Sequence, residues 1–188
     1  MALLAAGMTL WIVVHLFPAY SPGSRDTLVG RLGENPYKGV FSLLSLIALV
    51  LIVFGWKRAV PQALYAPPLM PGIVPAFLVL VGLILFFASQ LGGYLKRTLR
   101  HPQMLGTILW AGAHLLTNGD TRSVTLFGGM AAWALLEIVL CNRRDGPRHE
   151  LPQASIKADV LAVVVGVAVF GLVGHFHMTL FGVAPLPI

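Results

Sequence analysis

Residues 73–93 read IVPAFLVLVGLILFFASQLGG and contain no charged side chain. A helix needs about 20 mostly apolar residues to cross the hydrocarbon core of a bilayer. The apolar residues follow one another without the polar alternation of a barrel strand, and a membrane admits only helices or closed barrels as spanning structures. The stretch is therefore predicted to be a transmembrane helix.

The rest of the chain has the same apolar character. Of its 188 residues, 57% are hydrophobic and 11% are charged, which is too apolar for a soluble domain of this size. We predict an all-α fold, a polytopic transmembrane helix bundle that forms a single domain over residues 1–188. About six spans are predicted, at 2–20, 38–56, 73–93, 102–118, 123–141 and 159–183.

The basic residues predict how the bundle is oriented. With six spans, loops one, three and five lie on one side and carry most of the 13 lysines and arginines. The side richer in basic residues is cytoplasmic, so both termini are predicted to be periplasmic, in the inner (cytoplasmic) membrane of a bacterium. These loops hold Arg25, Arg31, Lys38, Lys96, Arg97, Arg100, Arg143, Arg144, Arg148 and Lys157, whereas loops two and four hold Lys57, Arg58 and Arg122.

Two further expectations follow from the distribution of charge. The net charge of +6 is explained by the cytoplasmic loops beside a lipid bilayer with anionic lipids, so no nucleic-acid partner is expected. No lysine or arginine precedes the first span, which is therefore expected to be retained rather than cleaved as a signal peptide. Between the first two spans, a short interfacial helix is predicted to end at Gly33.

The segment Arg100-His101-Pro102 opens the predicted fourth span. Proline is pre-organised for the first position of a helix, so His101 is predicted to lie at the N-cap. Arg100 adds a fixed positive charge suited to a carboxylate or phosphate. Gly106, one turn into the span, lets a flat group or another helix approach closely. The structural alternative is that His101 only caps the helix.

His15 and His101 are predicted to lie at the same depth. His15 is about 7 Å short of the inner end of the first span, and His101 begins the fourth span on that side. Ionisable side chains at membrane depth are costly and usually mark function. His15 is thus a candidate ligand, the alternative being a histidine hydrogen-bonded to a neighbouring helix. The same polar layer is predicted to include Gln90, Arg100 and Glu137.

A second polar layer is predicted near the outer side. His114 is about 20 Å along the same span from His101, so these two histidines cannot share one metal ion. Asn118 is a candidate hydrogen-bond partner of His114. His175 and His177 reach the outer layer but point to nearly opposite sides of their helix, so at most one of them is expected to face inward.

These stretches resemble the NnrU family of bacterial membrane proteins over nearly the full length. The family is associated with denitrification, and it is similar to the plant and cyanobacterial zeta-carotene isomerase, a membrane enzyme that holds haem b with histidines. The resemblance is carried by His15, Arg31-Leu32-Gly33-Glu34, Tyr37, Phe41-Ser42-Leu43, Arg100-His101-Pro102, Gly106, Leu109-Trp110-Ala111 and the run from His114 to Asp120.

The resemblance implies a cofactor and a set of residues that bind it. His15 and His101 would be the axial ligands of the iron of haem b, and Arg100 would suit a propionate. Gly106 and His114 match further family positions, with His114 beside the haem or on the substrate side. The implied activity is redox or isomerase-like chemistry linked to nitrite and nitric oxide reduction. Denitrification reductases or a hydrophobic small molecule are the implied partners.

Two other functions remain open on the sequence. Membrane methyltransferases that bind S-adenosylmethionine share Arg-His-Pro followed by glycine, which Arg100 to Pro102 and Gly106 match. Glu137 would stand for the acidic residue of that motif. The third possibility is a cofactor-free accessory factor that acts on denitrification reductases through protein contacts.

Overall fold

The computed structural model describes residues 1–147 and 153–185. This part of the chain is helical, which confirms the all-α class. The helices are α1 (Ala2–Tyr20), α2 (Pro22–Leu32), α3 (Glu34–Arg58), α4 (Ile73–Gln90), α5 (Tyr94–Thr98), α6 (Pro102–Leu115), α7 (Thr121–Asp145) and α8 (Ile156–Phe181). Helix α7 contains a π-helical turn at Val124–Gly128.

Five of these helices are long and apolar enough to cross a membrane, as expected of a multi-pass membrane protein: α1, α3, α4, α7 and α8. The predicted span at 102–118 is the exception. Helix α6 has 14 residues and is about 21 Å long, less than the hydrocarbon core of about 30 Å. Six spans are therefore not confirmed, and the periplasmic position of both termini remains a prediction.

The short helix predicted after the first span is present as α2, and it ends at Gly33 as predicted. Gly33 is both the last cap of α2 and the N-cap of α3, and its φ of 88° lies in the region that only glycine adopts without strain. Because one residue serves both helices, α3 begins at Glu34, four residues before the predicted start of the second span.

The chain forms two compact units. The first unit comprises Met1–Tyr65 and Gly119–Pro147, and the second comprises Ala66–Asn118 and Arg148–Ile188. Helices α1, α2, α3 and α7 belong to the first unit, and α4, α5, α6 and α8 belong to the second. The single-domain organisation remains a prediction.

In the first unit, α1 packs against both α3 and α7. Glycines make the close approach of α1 and α3 possible: a Cβ on Gly7 would lie 2.8 Å from the Ile52 nitrogen, and a Cβ on Gly55 would collide with the backbone of Leu4. Small residues are what lets helices approach in a membrane, where van der Waals packing drives their association. Leu4 and Ile52 are buried at this crossing.

In the second unit, α4 packs against both α6 and α8. Gly82 of α4 and Gly106 of α6 face one another, since a Cβ on Gly82 would lie 2.8 Å from the Gly106 carbonyl oxygen. On the other side of α4, Gly166 of α8 packs against Ile84. Helices α4 and α6 thus come into backbone contact at these two glycines.

Asp159, in the first turn of α8, caps the start of α5. Its side chain is buried, with Oδ2 accepting a hydrogen bond from the Tyr94 N–H at 2.7 Å and Oδ1 accepting one from the Leu95 N–H at 3.1 Å. The first N–H groups of a helix have no partner inside it. Gly93 gives the carboxylate room, because a Cβ there would collide with Oδ1.

We expect Asp159→Ala to lower the free energy of unfolding by about 1–2 kcal/mol, because it removes the acceptor that caps the N–H groups of Tyr94 and Leu95. Thermal unfolding in detergent would measure the loss. Asp26→Ala is the matched control, since Asp26 is exposed and only pairs with Arg25, an interaction of at most about 1 kcal/mol. Equal stability of the two variants would show that the Asp159 cap does not stabilise the fold.

Candidate functional site

His15 lies on α1 among three aromatic rings. Its imidazole stacks on the indole of Trp11, with centroids 3.9 Å apart and planes 23° apart. Trp133 of α7 meets it edge-on at 5.4 Å, and Phe41 of α3 does so at 5.2 Å. Three helices of the first unit thus fix the orientation of this ring. We refer to Trp11, His15, Phe41 and Trp133 as the His15 cluster.

One hydrogen bond sets which nitrogen of His15 is available. Nδ1 lies 2.9 Å from the backbone carbonyl oxygen of Trp11, one turn earlier on α1. Because a carbonyl only accepts, Nδ1 must carry the hydrogen, and in the neutral ring the lone pair is then on Nε2. Metal-binding histidines are usually oriented in this way by a bond from the other ring nitrogen. The structural alternative for His15 was a hydrogen bond to a neighbouring helix, whereas Nδ1 bonds to the backbone of its own helix.

Two indole N–H groups of the His15 cluster lack an acceptor. Nε1 of Trp11 and Nε1 of Trp133 are buried and make no hydrogen bond within residues 1–147 and 153–185. Trp133 is only 5% exposed. A buried donor without a partner costs about 1–3 kcal/mol. The cluster therefore presents one nitrogen lone pair, which suits a metal ion, and two indole N–H donors, which suit the acceptor atoms of a bound group.

A cleft of about 340 Å³ adjoins this cluster, since Phe41 lines both. Two cations lie in its wall, Arg25 and Lys38, each within 3 Å of a neighbouring carboxylate. The Tyr37 hydroxyl is buried there and has no hydrogen-bond partner in the described part of the chain. The complete lining is Pro18, Arg25, Glu34, Tyr37, Lys38, Phe41 and Ser42.

His101 is at the N-cap of α6 with Pro102 at the first helical position, as predicted from the sequence. Its backbone carbonyl accepts the Leu105 N–H at 3.0 Å. Gln90, which the depth argument placed in the same layer, donates from Nε2 to Oε1 of Gln103 at 3.3 Å, so it does reach the first turn of α6. Arg100 directly precedes the cap.

Gly106 is buried where α6 crosses α4, so the structure shows the close helix approach that was one of its two predicted roles. Contact of Gly106 with a cofactor remains a prediction.

His114, near the end of α6, pairs with His177 of α8. The two ring centroids are 6.5 Å apart and the planes 22° apart. His175 is exposed and lies against Phe176. The expectation that at most one of these two α8 histidines faces inward is confirmed, and that residue is His177. Asn118, the expected partner of His114, donates from Nδ2 to the backbone oxygen of His114 at 2.9 Å.

A Trp-x-x-x-His pattern occurs once in each unit, a repeat that was not predicted from the sequence. Trp11 with His15 and Trp110 with His114 have the same spacing, and in both pairs the histidine Nδ1 lies within 3 Å of the tryptophan carbonyl oxygen. In both, the two rings are also in contact. The spacing of four was the available signal, because it stacks two side chains on one helix face.

The predicted site residues divide between the two units. His15 and Glu137 belong to the first, whereas Arg100, His101, Gly106 and His114 belong to the second. Glu137 accepts a contact from the Cys141 thiol at 3.4 Å. The pairing of His15 with His101 remains a prediction. Among the residues that the structure describes, no three or more His, Cys, Asp or Glu side chains are grouped to hold a metal ion.

The comparisons with known proteins give one result. The chain matches no curated protein and no solved structure. The NnrU protein family matches residues 3–185, nearly the whole chain. Because this match covers nearly the whole chain, the chain belongs to the NnrU protein family.

Proposed function

We propose that this multi-pass membrane protein binds haem b, with His15 as an axial ligand of the iron. The observation that carries the proposal is the hydrogen bond from Nδ1 of His15 to the Trp11 carbonyl oxygen, which leaves Nε2 for a metal. A porphyrin supplies the other iron ligands itself, so one or two histidines are enough to hold it. The aromatic rings around His15 suit the apolar face of such a group.

The other groups beside His15 fit the periphery of a haem. Its propionates are acceptors, and the cleft that shares Phe41 with the His15 cluster carries Arg25, Lys38 and the Tyr37 hydroxyl. Guanidinium and ammonium groups form strong charge-assisted hydrogen bonds with carboxylates. The two buried indole N–H groups are donors for acceptor atoms of a bound ligand. When bound, the haem supplies reversible one-electron chemistry at iron.

His101 is the proposed second axial ligand, and Arg100 the proposed partner of a propionate. Their support is the resemblance to the haem-binding isomerase and the position of His101 at the start of α6. As a family member, the protein is proposed to act in nitrite or nitric oxide reduction, in the bacterial inner membrane, alongside denitrification reductases. The aromatic rings that contact His15 fix the orientation of its imidazole.

An optical spectrum of the purified chain tests the proposal. Protein from haem-replete membranes is expected to show a Soret band, with sharper bands on reduction. His15→Ala and His101→Ala are expected to lose or shift these bands, because each removes an axial ligand. His175→Ala is the matched control, since that histidine is exposed and lies against Phe176 of its own helix.

A further variant separates ligation from packing. His15→Gly removes the ring and leaves a space, and free imidazole added to this variant is expected to restore the spectrum. A colourless parent protein, or a His15→Ala protein with an unchanged spectrum, would overturn the proposal. In the first case, binding of S-adenosylmethionine would be measured next.

A further inference from the structure

The two cations of the cleft beside the His15 cluster are each bound by a carboxylate. Arg25 Nη1 lies 2.8 Å from Asp26 Oδ1, and Lys38 Nζ lies 2.7 Å from Glu34 Oε1. Two positive and two negative charges sum to zero. All four side chains are between 41% and 68% exposed, and exposed ion pairs contribute little because water screens them. These cations therefore do not by themselves explain how the cleft would select a ligand.

The Tyr37 hydroxyl is the polar group of the cleft that gains most from a ligand. Its oxygen is buried and makes no hydrogen bond within residues 1–147 and 153–185. Its ring lies beneath the Arg25 guanidinium, whose carbon is 5.8 Å from the ring centroid. Ser42, the other hydroxyl in the lining, is exposed to solvent. Because a buried hydroxyl without a partner is costly, an acceptor atom beside Tyr37 would be stabilising.

Tyr37 lies one turn along α3 from a ring that contacts His15. That ring is Phe41, and residues four apart share one face of a helix. The Phe41 and His15 rings are 5.2 Å apart between centroids. Both Tyr37 and Phe41 line the cleft. One face of α3 therefore joins the cleft to the His15 cluster.

We propose that the Tyr37 hydroxyl donates a hydrogen bond to a carboxylate of the bound ligand, and thereby selects a tetrapyrrole with free carboxylates. This role rests on the proposed haem function, in which the carboxylate is a propionate. A tyrosine hydroxyl can donate and an ionised carboxylate only accepts, so the two groups are complementary. A hydrogen bond to an ionised group is worth more than an exposed ion pair. Loss of the hydroxyl is therefore expected to matter more than loss of either ion pair.

Titration of the cofactor-free, full-length chain with haem and with the dimethyl ester of haem tests the proposal. The ester has the same ring and iron but presents no carboxylate. Both probes are added in the same detergent and followed by the Soret band. The ratio of the two affinities is compared between variants, so that partition of each probe into micelles cancels.

Tyr37→Phe removes one oxygen atom and keeps the ring. It is expected to lower the ratio of haem affinity to ester affinity at least about tenfold, which corresponds to about 1.4 kcal/mol. The affinity for the ester is expected to change much less, because the ester offers no ionised acceptor. Tyr20→Phe is the matched control, since it is the same chemical change at a tyrosine that is 76% exposed. It is expected to keep the parent's ratio.

A double variant tests the contribution of charge. Glu34→Gln combined with Lys38→Gln removes one exposed ion pair without leaving a single charge behind. It is expected to lower the ratio no more than about fivefold. Three results would overturn the role of Tyr37: a parental ratio in Tyr37→Phe, an equal loss of affinity for both probes in that variant, or a larger drop in the double variant.

His15→Ala, titrated in the same way, separates this role from ligation of the iron. If His15→Ala binds haem with the parental spectrum and affinity while Tyr37→Phe loses its preference for haem, the ligation proposal fails and the role of Tyr37 stands. If His15→Ala loses the Soret band and Tyr37→Phe keeps the parental ratio, the haem site stands and the role of Tyr37 fails. A parent chain that binds neither probe overturns both.

Discussion

Alanine at Gly55 is expected to lower the free energy of unfolding by about 3 kcal/mol, at the upper end of what overpacking costs. The added Cβ would lie 2.6 Å from the Leu4 Cα and 2.9 Å from the Leu3 carbonyl carbon. These are backbone atoms, so no side-chain rotation relieves the clash and α1 must move away from α3. The purified protein would be unfolded with increasing concentrations of a denaturing detergent and followed by circular dichroism, which would measure the loss of stability.

Gly39→Ala is the control, because Gly39 is on the same helix and a Cβ there meets nothing within 4 Å. Alanine is a better helix former than glycine by about 1 kcal/mol, so this variant is expected to be as stable as the parent or more so. The two substitutions are chemically identical and differ only in what the methyl group meets. Equal stability of the two variants would contradict the close packing of α1 on α3.

The helices themselves were predictable, because their residues carry the information locally. The uncharged run at 73–93 contains α4, and Gly33 marks the end of α2 and the start of α3. The span predicted at 102–118 is longer than the helix that forms there. The difference has a local cause that composition does not show. Helix α6 ends at Leu115, and the side-chain amide of Asn118 then bonds back to the His114 carbonyl. An apolar run can therefore exceed the helix that it forms.

Features of the candidate site were predictable only where the residues of a single helix determine them. His101 at the N-cap follows from Pro102, and one inward-facing histidine on α8 follows from the angle between His175 and His177. The contacts between distant segments were not predictable. Trp133 meets His15 from more than a hundred residues away in sequence, and Asp159 caps α5 from 65 residues away. No pattern within a single span encodes such pairs.

The sequence around Gly106 was compatible with several roles for this glycine. One turn after Arg100-His101-Pro102, its lack of a side chain was compatible with a flat cofactor, with the nucleotide of a methyltransferase or with another helix. The structure places it against Gly82, with the two backbones in contact. Close packing of the two helices is thus sufficient to account for the glycine, and its contact with a cofactor remains a prediction.

We expect Gly106→Ala to destabilise the second unit by about 2–3 kcal/mol, because its Cβ would collide with the Gly82 carbonyl oxygen and lie 3.2 Å from the Phe86 nitrogen. Gly112→Ala on the same helix is the control, since a Cβ there has open space and alanine favours the helix. Thermal unfolding measures both. A Gly106→Ala protein that is as stable as Gly112→Ala but has lost its Soret band would contradict the packing role. It would instead place a cofactor against Gly106, because only a bound group would then be displaced by the methyl.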